Sequence, residues 1–130
     1  MNSTAKNVTA IAPHQDAHNL AAARLFRDRW ENRANALANC IDHLVVDHDM
    51  TEEKAELVAI QAYADLESTN QVARIDTDAS TSHMVVLRTE GGRPVMFTVT
   101  DLMHILEQAR QDDRAVVVDR DRRRPVVLEH

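Results

Sequence analysis

Hydrophobic side chains recur at steps of three and four residues along the stretch from His14 to Asp49. Such spacing is typical of an amphipathic helix that buries one face. The stretch contains neither glycine nor proline, and it is rich in alanine, leucine and arginine, which are strong helix formers. We therefore predict one very long, uninterrupted helix here. The apolar side chains of its stripe are Leu20, Ala23, Phe26, Trp30, Ala34, Leu37, Ile41 and Leu44.

The length of this predicted helix indicates an assembly. At 1.5 Å per residue it spans about 50 Å, whereas a compact domain of this chain length has a diameter of about 36 Å. The helix would extend beyond its own domain, so we predict that a second copy covers it in a homodimer. Arg27 interrupts one seam of the heptad pattern, and a strict coiled coil is only one option. The candidate interface residues are Ala23, Phe26, Trp30, Ala34, Leu37, Ile41 and Leu44.

A second helical pattern runs roughly from Glu52 to Gln71 and is apolar over more than half of its circumference. Either Asp49 or Thr51 can provide its N-cap. We expect the two helices to form an antiparallel hairpin over residues 14–75. One continuous rod is the alternative, since no glycine separates the segments, but clustered aspartate and threonine favour the hairpin.

The hydrophobic period changes from helical to alternating after a polar linker at residues 76–82. Two strands, at residues 83–89 and 94–99, are predicted to form a hairpin through the turn at Gly91 and Gly92. A helix over residues 101–111 with Thr100 as its cap follows, then a strand at 115–118 and, as an open alternative, a fourth strand at 125–127. The buried side of this helix is predicted to consist of Leu102, Ile105, Leu106 and Ala109.

Together these patterns predict an α+β fold, with an N-terminal antiparallel helical hairpin followed by a small β-β-α-β(β) layer over residues 83–127. The chain length favours a single domain over residues 14–127. Residues 1–13 lack a pattern and are interpreted as a flexible arm. The last three residues, 128–130, resemble the remnant of a purification tag.

Composition and charge restrict the partners. Up to residue 80 the chain has 7 basic and 13 acidic residues, which accounts for its net charge of −6 and argues against nucleic acid. Aromatic residues are only 3% of the chain, which leaves little material for stacking a flat cofactor, and we expect no cofactor. The single cysteine, Cys40, fits a reducing compartment. No apolar run is long enough to cross a membrane and no leader opens the chain, so we predict a cytoplasmic protein.

Histidines provide the candidate metal ligands. His14 and His18 are four residues apart and share a helix face, but a third ligand at a diagnostic spacing is missing. We favour solvated side chains over a metal site for this pair. His43, Asp47 and His48 cluster near the end of the long helix, where a histidine is electrostatically favourable without any function.

The only basic cluster comprises Arg120, Arg122, Arg123 and Arg124. It is a candidate anion-binding site. Interleaved aspartates reduce the local field, so a solvated hairpin tip is the favoured interpretation. Cys40 lies close to the apolar stripe and is interpreted as a small buried hydrophobe, not a reactive thiol.

One part of the C-terminal half resembles a known family. The segments Val85-Val86-Leu87-Arg88 and Gly92-Arg93-Pro94-Val95, followed by Asp101-Leu102 at a helix start, are similar to the strand–hairpin–strand–helix piece of Phd/YefM-type antitoxins. The resemblance covers about a fifth of the chain. Those proteins carry a DNA-contacting segment ahead of this piece, whereas here a long acidic helical hairpin precedes it.

The sequence contains no nucleophile elbow, phosphate loop or dinucleotide fingerprint, so we expect a protein that is not an enzyme. The favoured hypothesis is a small interaction or regulatory protein that acts as a homodimer. A DNA-binding repressor or antitoxin-like protein that uses the arginine cluster is the first alternative. The second alternative is a small enzyme or metal binder with histidines shared across a dimer interface.

Overall fold

The computed structural model describes residues 13–118 and 124–130. It confirms an α+β fold in which helices and small antiparallel sheets follow one another along the chain. The helices are α1 (Pro13–Arg27), α2 (Arg33–His48), α3 (Glu52–Glu67) and α4 (Val99–Gln111), and a short 3₁₀ turn spans Ser68–Asn70. The strands are β1 (Arg74–Ile75), β2 (Met84–Arg88), β3 (Pro94–Thr98), β4 (Ala115–Val117) and β5 (Val126–Leu128).

The chain divides into two compact units. Unit 1 takes its described residues from Met1–Leu66 and Val117–Val127, and unit 2 from Glu67–Val116 and Leu128–His130. Strands β4 and β5 pair with each other in a two-stranded sheet. The single domain predicted over residues 14–127 stays a prediction.

The predicted very long helix is wrong, because the chain forms two helices separated by a turn at residues 28–32. The side chain of Asn32 accepts a hydrogen bond from the Asn35 backbone N–H and caps the start of α2. Arg29 Nη1 donates to the Phe26 carbonyl oxygen at 2.8 Å and satisfies the end of α1. Capping groups therefore end a helix that contains neither glycine nor an internal proline.

The turn allows α1 to pack against α2 of the same chain. The Cys40 thiol lies within 3.8 Å of the Ala21 carbonyl oxygen, and both residues are fully buried. Helices of 15 and 16 residues span about 24 Å each, so neither overshoots a domain of this size. The length argument for a homodimer loses its basis. The buried core of unit 1 comprises Ala17, Ala21, Leu25, Ala36, Leu37, Cys40, Ile41, Leu44, Ala55, Val58, Ala59, Ala62 and Val118.

Helices α2 and α3 are separate. This agrees with the hairpin interpretation and excludes one continuous rod. Asp49 adopts the left-handed conformation, with a φ of 55°, at the end of α2, and the Met50 N–H donates to the Leu44 carbonyl oxygen. Thr51 caps α3, since its hydroxyl accepts a hydrogen bond from the Lys54 N–H at 3.2 Å. Of the two predicted caps, Thr51 is therefore the one that is used.

Unit 2 contains a three-stranded antiparallel sheet in the order β1-β2-β3. The predicted hairpin is confirmed, with Val85 opposite Phe97 and Leu87 opposite Val95. Gly92, with a φ of 75°, closes its turn through a hydrogen bond from its N–H to the Thr89 carbonyl oxygen. The short strand β1 lies outside every strand that the sequence predicted.

The predicted linker at residues 76–82 is a hydrogen-bonded turn. Asp76 accepts from the Ala79 N–H at 3.1 Å, and its second carboxylate oxygen accepts from Arg88 Nε at 3.1 Å. The Ser80 hydroxyl donates to the Asp76 carbonyl oxygen and accepts from the Val86 N–H. These bonds attach the segment to β2.

Helix α4 begins two residues earlier than predicted. Thr98, not Thr100, is its N-cap, and Thr98 and Asp101 form a reciprocal capping box. Of the predicted buried side, Ala109 is buried and Leu106 is half-buried, whereas Leu102 and Ile105 are exposed. Among the described residues, no helix has both the length and the apolar character needed to cross a membrane.

Candidate interaction surface

One face of the unit-2 sheet is entirely apolar. Residues that lie directly opposite on neighbouring strands share a face, as do alternate residues of one strand. By this rule the register places five side chains on one face, and none of them carries a charge. They are Ile75, Val85, Leu87, Val95 and Phe97. Each is half-buried or exposed and none is buried.

Helix α4 also leaves large apolar side chains in solvent. Four apolar residues in its first two turns are exposed, and we name them the α4 apolar face. They are Val99 (49% exposed), Leu102 (40%), Met103 (52%) and Ile105 (42%). Val99 lies beside Leu102 and Met103 at spacings of three and four, and Ile105 lies beside Leu102 at a spacing of three. In the described part of unit 2, only Val86 and Ala109 are buried. Unit 2 therefore has a small buried core of its own.

Polar contacts hold the hairpin beside this surface in one geometry. Arg88 Nη1 donates to the Gly92 carbonyl oxygen at 3.3 Å, and Arg88 Nε reaches Asp76 at 3.1 Å. The hydrogen bond from the Ala79 N–H and then that from Arg88 lower the pKa of Asp76 below its usual value. A charged carboxylate at neutral pH therefore keeps the turn attached to the sheet.

A second exposed apolar cluster lies at the end of α1 and in the turn after it. Trp30 is 86% exposed and Phe26 is 59% exposed. The Arg29 guanidinium lies over both rings, 4.3 Å from the centroid of Phe26 and 5.2 Å from that of Trp30. Of the seven residues predicted for a dimer interface, these two and Ala23 are exposed in this chain. The other four, Ala34, Leu37, Ile41 and Leu44, are buried within it.

Arg124, a candidate for anion binding, contacts carboxylates of its own chain. Its Nη2 lies 3.1 Å from Asp42 Oδ1 of α2 and 3.0 Å from Glu52 Oε1 of α3, and its Nε lies 3.8 Å from Glu56 Oε2. Its side chain is only 4% exposed. Three acidic partners leave this guanidinium poorly placed for an external anion. Arg120, Arg122 and Arg123 lie outside the described residues.

Of the two histidines predicted as a possible metal pair, His14 and His18, only His18 has a described side chain. His18 Nε2 lies 3.4 Å from Asp65 Oδ2 of α3, and the side chain of His14 lies outside the described residues.

The structure groups a different set of histidines. His43 Nδ1 lies 2.7 Å from Asp47 Oδ2, and His43 Nε2 lies 3.3 Å from His48 Nε2. The sequence placed His43 and Asp47 on one helix face but placed His48 elsewhere. In the structure His48, the last residue of α2, contacts His43.

Cys40 is a buried thiol, as expected from its place in the stripe. Burial raises its pKa to about 12, with a smaller opposing effect from Arg24. The thiolate is the nucleophile and the metal ligand of cysteine, so this residue is unsuited to either role at neutral pH.

Compared with protein-family models, curated proteins and solved structures, the chain shows no significant match. The resemblance of residues 85–102 to an antitoxin segment therefore remains a local one. Sequence reasoning identified the apolar residues of α4 but expected two of the exposed ones to be buried. One signal in the sequence could have revealed the surface. The predicted C-terminal half has only a hairpin and one short strand beside α4, and these elements are too few to bury both the apolar face of the sheet and the apolar residues of α4.

Proposed function

We propose that this chain is a protein-interaction module that acts as a homodimer, and that the α4 apolar face is the core of the dimer interface. The observation that carries the proposal is the scarcity of buried side chains in unit 2, beside four large apolar residues that α4 leaves exposed. Exposed apolar patches of this kind mark protein–protein contacts in soluble proteins.

A second copy of the chain is the occupant that fits this face best. A twofold dimer places the same patch against itself, so an apolar face needs no complementary charge on its partner. The centre of such an interface is depleted in charged residues and enriched in methionine and aromatic residues. Met103 and Leu102 satisfy that description, and Arg110 lies two turns further along the helix, at its last turn.

The DNA-binding alternative has less support than the interaction module. Its argument used the arginine cluster, and Arg124 is buried among three carboxylates. The net charge of −6 also opposes phosphate binding. We therefore keep the interaction module as the proposal.

Light scattering coupled to gel filtration, from about 5 to 200 μM chain, tests the proposal together with the substitution Met103→Glu. We expect a dimer for the unsubstituted protein. A charge at the interface centre should raise the dissociation constant at least tenfold, which corresponds to about 1.4 kcal/mol. Circular dichroism should show an unchanged helix content, because Met103 is exposed in the single chain.

Val46→Glu is the matched control, since Val46 is also an exposed apolar residue of a helix (78% exposed) but lies in unit 1. It should leave the dimer intact. Trp30→Glu tests the interface that the sequence predicted at α1 and α2. A protein that is monomeric throughout the concentration range contradicts the homodimer. A dimer dissociated by Trp30→Glu and not by Met103→Glu moves the interface to unit 1.

A further inference from the structure

Trp30 and Phe26 form an aromatic pair at the turn between α1 and α2. Trp30, the only tryptophan of the chain, is the most exposed of the large apolar side chains that the structure describes. The Arg29 guanidinium lies 4.3 Å from the ring centroid of Phe26 and 5.2 Å from that of Trp30. Its Nη1 also donates to the Phe26 carbonyl oxygen at 2.8 Å. These contacts hold the two rings in one arrangement, so a partner that binds them has few side chains to order.

The surface of this turn is basic, although the chain as a whole has a net charge of −6. Arg27 and Arg29 are exposed, and within the described part of the chain neither forms an ion pair with a carboxylate. Arg24, in contrast, pairs with Asp28 at 3.0 Å. Glu31 is the only exposed acidic residue of the turn. The end of α1 and the turn therefore combine two exposed rings with two guanidinium groups that have no carboxylate partner.

These features favour a partner segment that is both apolar and acidic. An apolar side chain that packs on Trp30 and Phe26 removes their surface from water, and a carboxylate beside it can accept two hydrogen bonds from one guanidinium. Tryptophan and arginine are also the residues most enriched at the energetic centres of protein interfaces.

Other occupants fit this surface less well. A second copy, placed about a twofold axis, would bring Arg27 and Arg29 close to the same arginines of that copy. A nucleic acid carries its negative charge along its whole length, and a chain with a net charge of −6 would repel the part that extends beyond the turn. A short acidic segment of a protein concentrates its charge where the arginines lie.

We propose that another protein docks an acidic, apolar segment on this surface, which comprises Phe26, Arg27, Arg29 and Trp30. The two rings contact an apolar side chain of the segment, and the two guanidinium groups bind its carboxylates. Complementary charge accelerates the association and selects the partner. All four residues belong to unit 1, whereas the α4 apolar face belongs to unit 2, so the inference does not depend on the proposed dimer.

The fluorescence of Trp30 tests the docking surface without any substitution, because the chain has no other tryptophan. The probes are short synthetic peptides without tryptophan, each with one leucine or phenylalanine flanked by aspartate and glutamate. Matched peptides carry asparagine and glutamine in place of the acids. We expect the acidic peptides, and not the amide peptides, to shift the emission to shorter wavelength and to protect Trp30 from iodide. Binding should weaken as the salt concentration rises, because the surface charges are screened.

Two substitutions separate the contributions of charge and ring. Arg27→Gln should weaken binding of the acidic peptides at least fivefold, because a charge-assisted hydrogen bond is lost. Trp30→Ala, followed by calorimetry, should weaken it at least tenfold. Both side chains are exposed, so circular dichroism should show an unchanged helix content. Arg110→Gln is the matched control, since Arg110 is an exposed arginine in the last turn of α4 as Arg27 is in that of α1. It should leave the affinity unchanged.

Three results overturn the proposal. The first is an unchanged Trp30 emission with every acidic peptide up to millimolar concentration. The second is equal affinity for the acidic and the amide peptides, or equal loss of affinity in Arg27→Gln and Arg110→Gln. The third is tighter binding of an oligothymidylate than of every acidic peptide, which would assign the surface to single-stranded nucleic acid.

Discussion

Replacement of Arg124 by methionine should destabilise unit 1. The Arg124 guanidinium is nearly inaccessible and joins the segment after β4 to α2 and α3 through Asp42, Glu52 and Glu56. Burial lowers the pKa of Arg124, but hydrogen bonds to Glu52 and Asp42 and their charges outweigh it, so that the pKa is raised overall. The arginine therefore stays charged at every pH at which the protein folds.

The expected cost follows from the exposure of the three acids. Removing one partner of a fully buried ion pair costs about 3–5 kcal/mol, because the other charge is left without compensation. Here the side chains of Asp42 and Glu52 are 60% and 40% exposed, so water can solvate their negative charges when Arg124 is replaced. Glu56, at 18% exposure, is compensated less well. A loss of about 2 kcal/mol is therefore expected, close to the value of a hydrogen bond to a charged group.

Urea and thermal unfolding, followed by circular dichroism, measure this loss. At a few degrees per kcal/mol, the midpoint temperature should fall by roughly 5–10 °C. Arg110→Met is the matched control, since Arg110 is 53% exposed and lies 3.8 Å from Glu107 in an ordinary surface pair. It should change stability by less than about 0.5 kcal/mol. Equal destabilisation by the two substitutions would refute the view that the Arg124 cluster holds the C-terminal segment to the helices.

Three further predictions test other parts of the structure. The Cys40 thiol, buried and with its pKa raised to about 12, should resist alkylation at pH 8 in the folded protein and react at once in 6 M guanidinium. The lowered pKa of Asp76 means that its contribution to stability is complete above about pH 4 and is lost as the pH falls through the folded-state pKa. Asp76→Asn should thus destabilise the protein at pH 7. The difference in the free energy of unfolding between the variant and the unsubstituted protein, measured in urea, should become smaller towards pH 2. Trp30, at 86% exposure, should emit at the wavelength of tryptophan in water and be quenched freely by iodide at low protein concentration; a strongly blue-shifted emission would contradict its placement.

Periodicity in the sequence was sufficient to identify most helices and strands. The pattern after Glu52 and the alternation around the Gly91-Gly92 turn each correspond to observed elements, whereas the stripe from Leu20 to Leu44 falls on two helices and not on the one predicted. These patterns are local, because a side chain's place on a helix or strand follows from its spacing to near neighbours. The fourth strand, left open from the sequence, is β5.

Only the tertiary structure decided where the chain turns between α1 and α2 and which apolar side chains are buried. The sequence contains Asn32 and Arg27, but these residues alone do not show that the helix ends between them. The helix ends there because packing α1 against α2, with Ala21 beside Cys40, is more favourable than continuing one helix. The free energy of this packing depends on residues far apart in the chain. The same reason explains the burial of Arg124 beside Asp42, 82 residues away, and the exposure of Leu102. Spacing along the chain sets which side chains share a face, whereas the surface that each face meets depends on the whole fold.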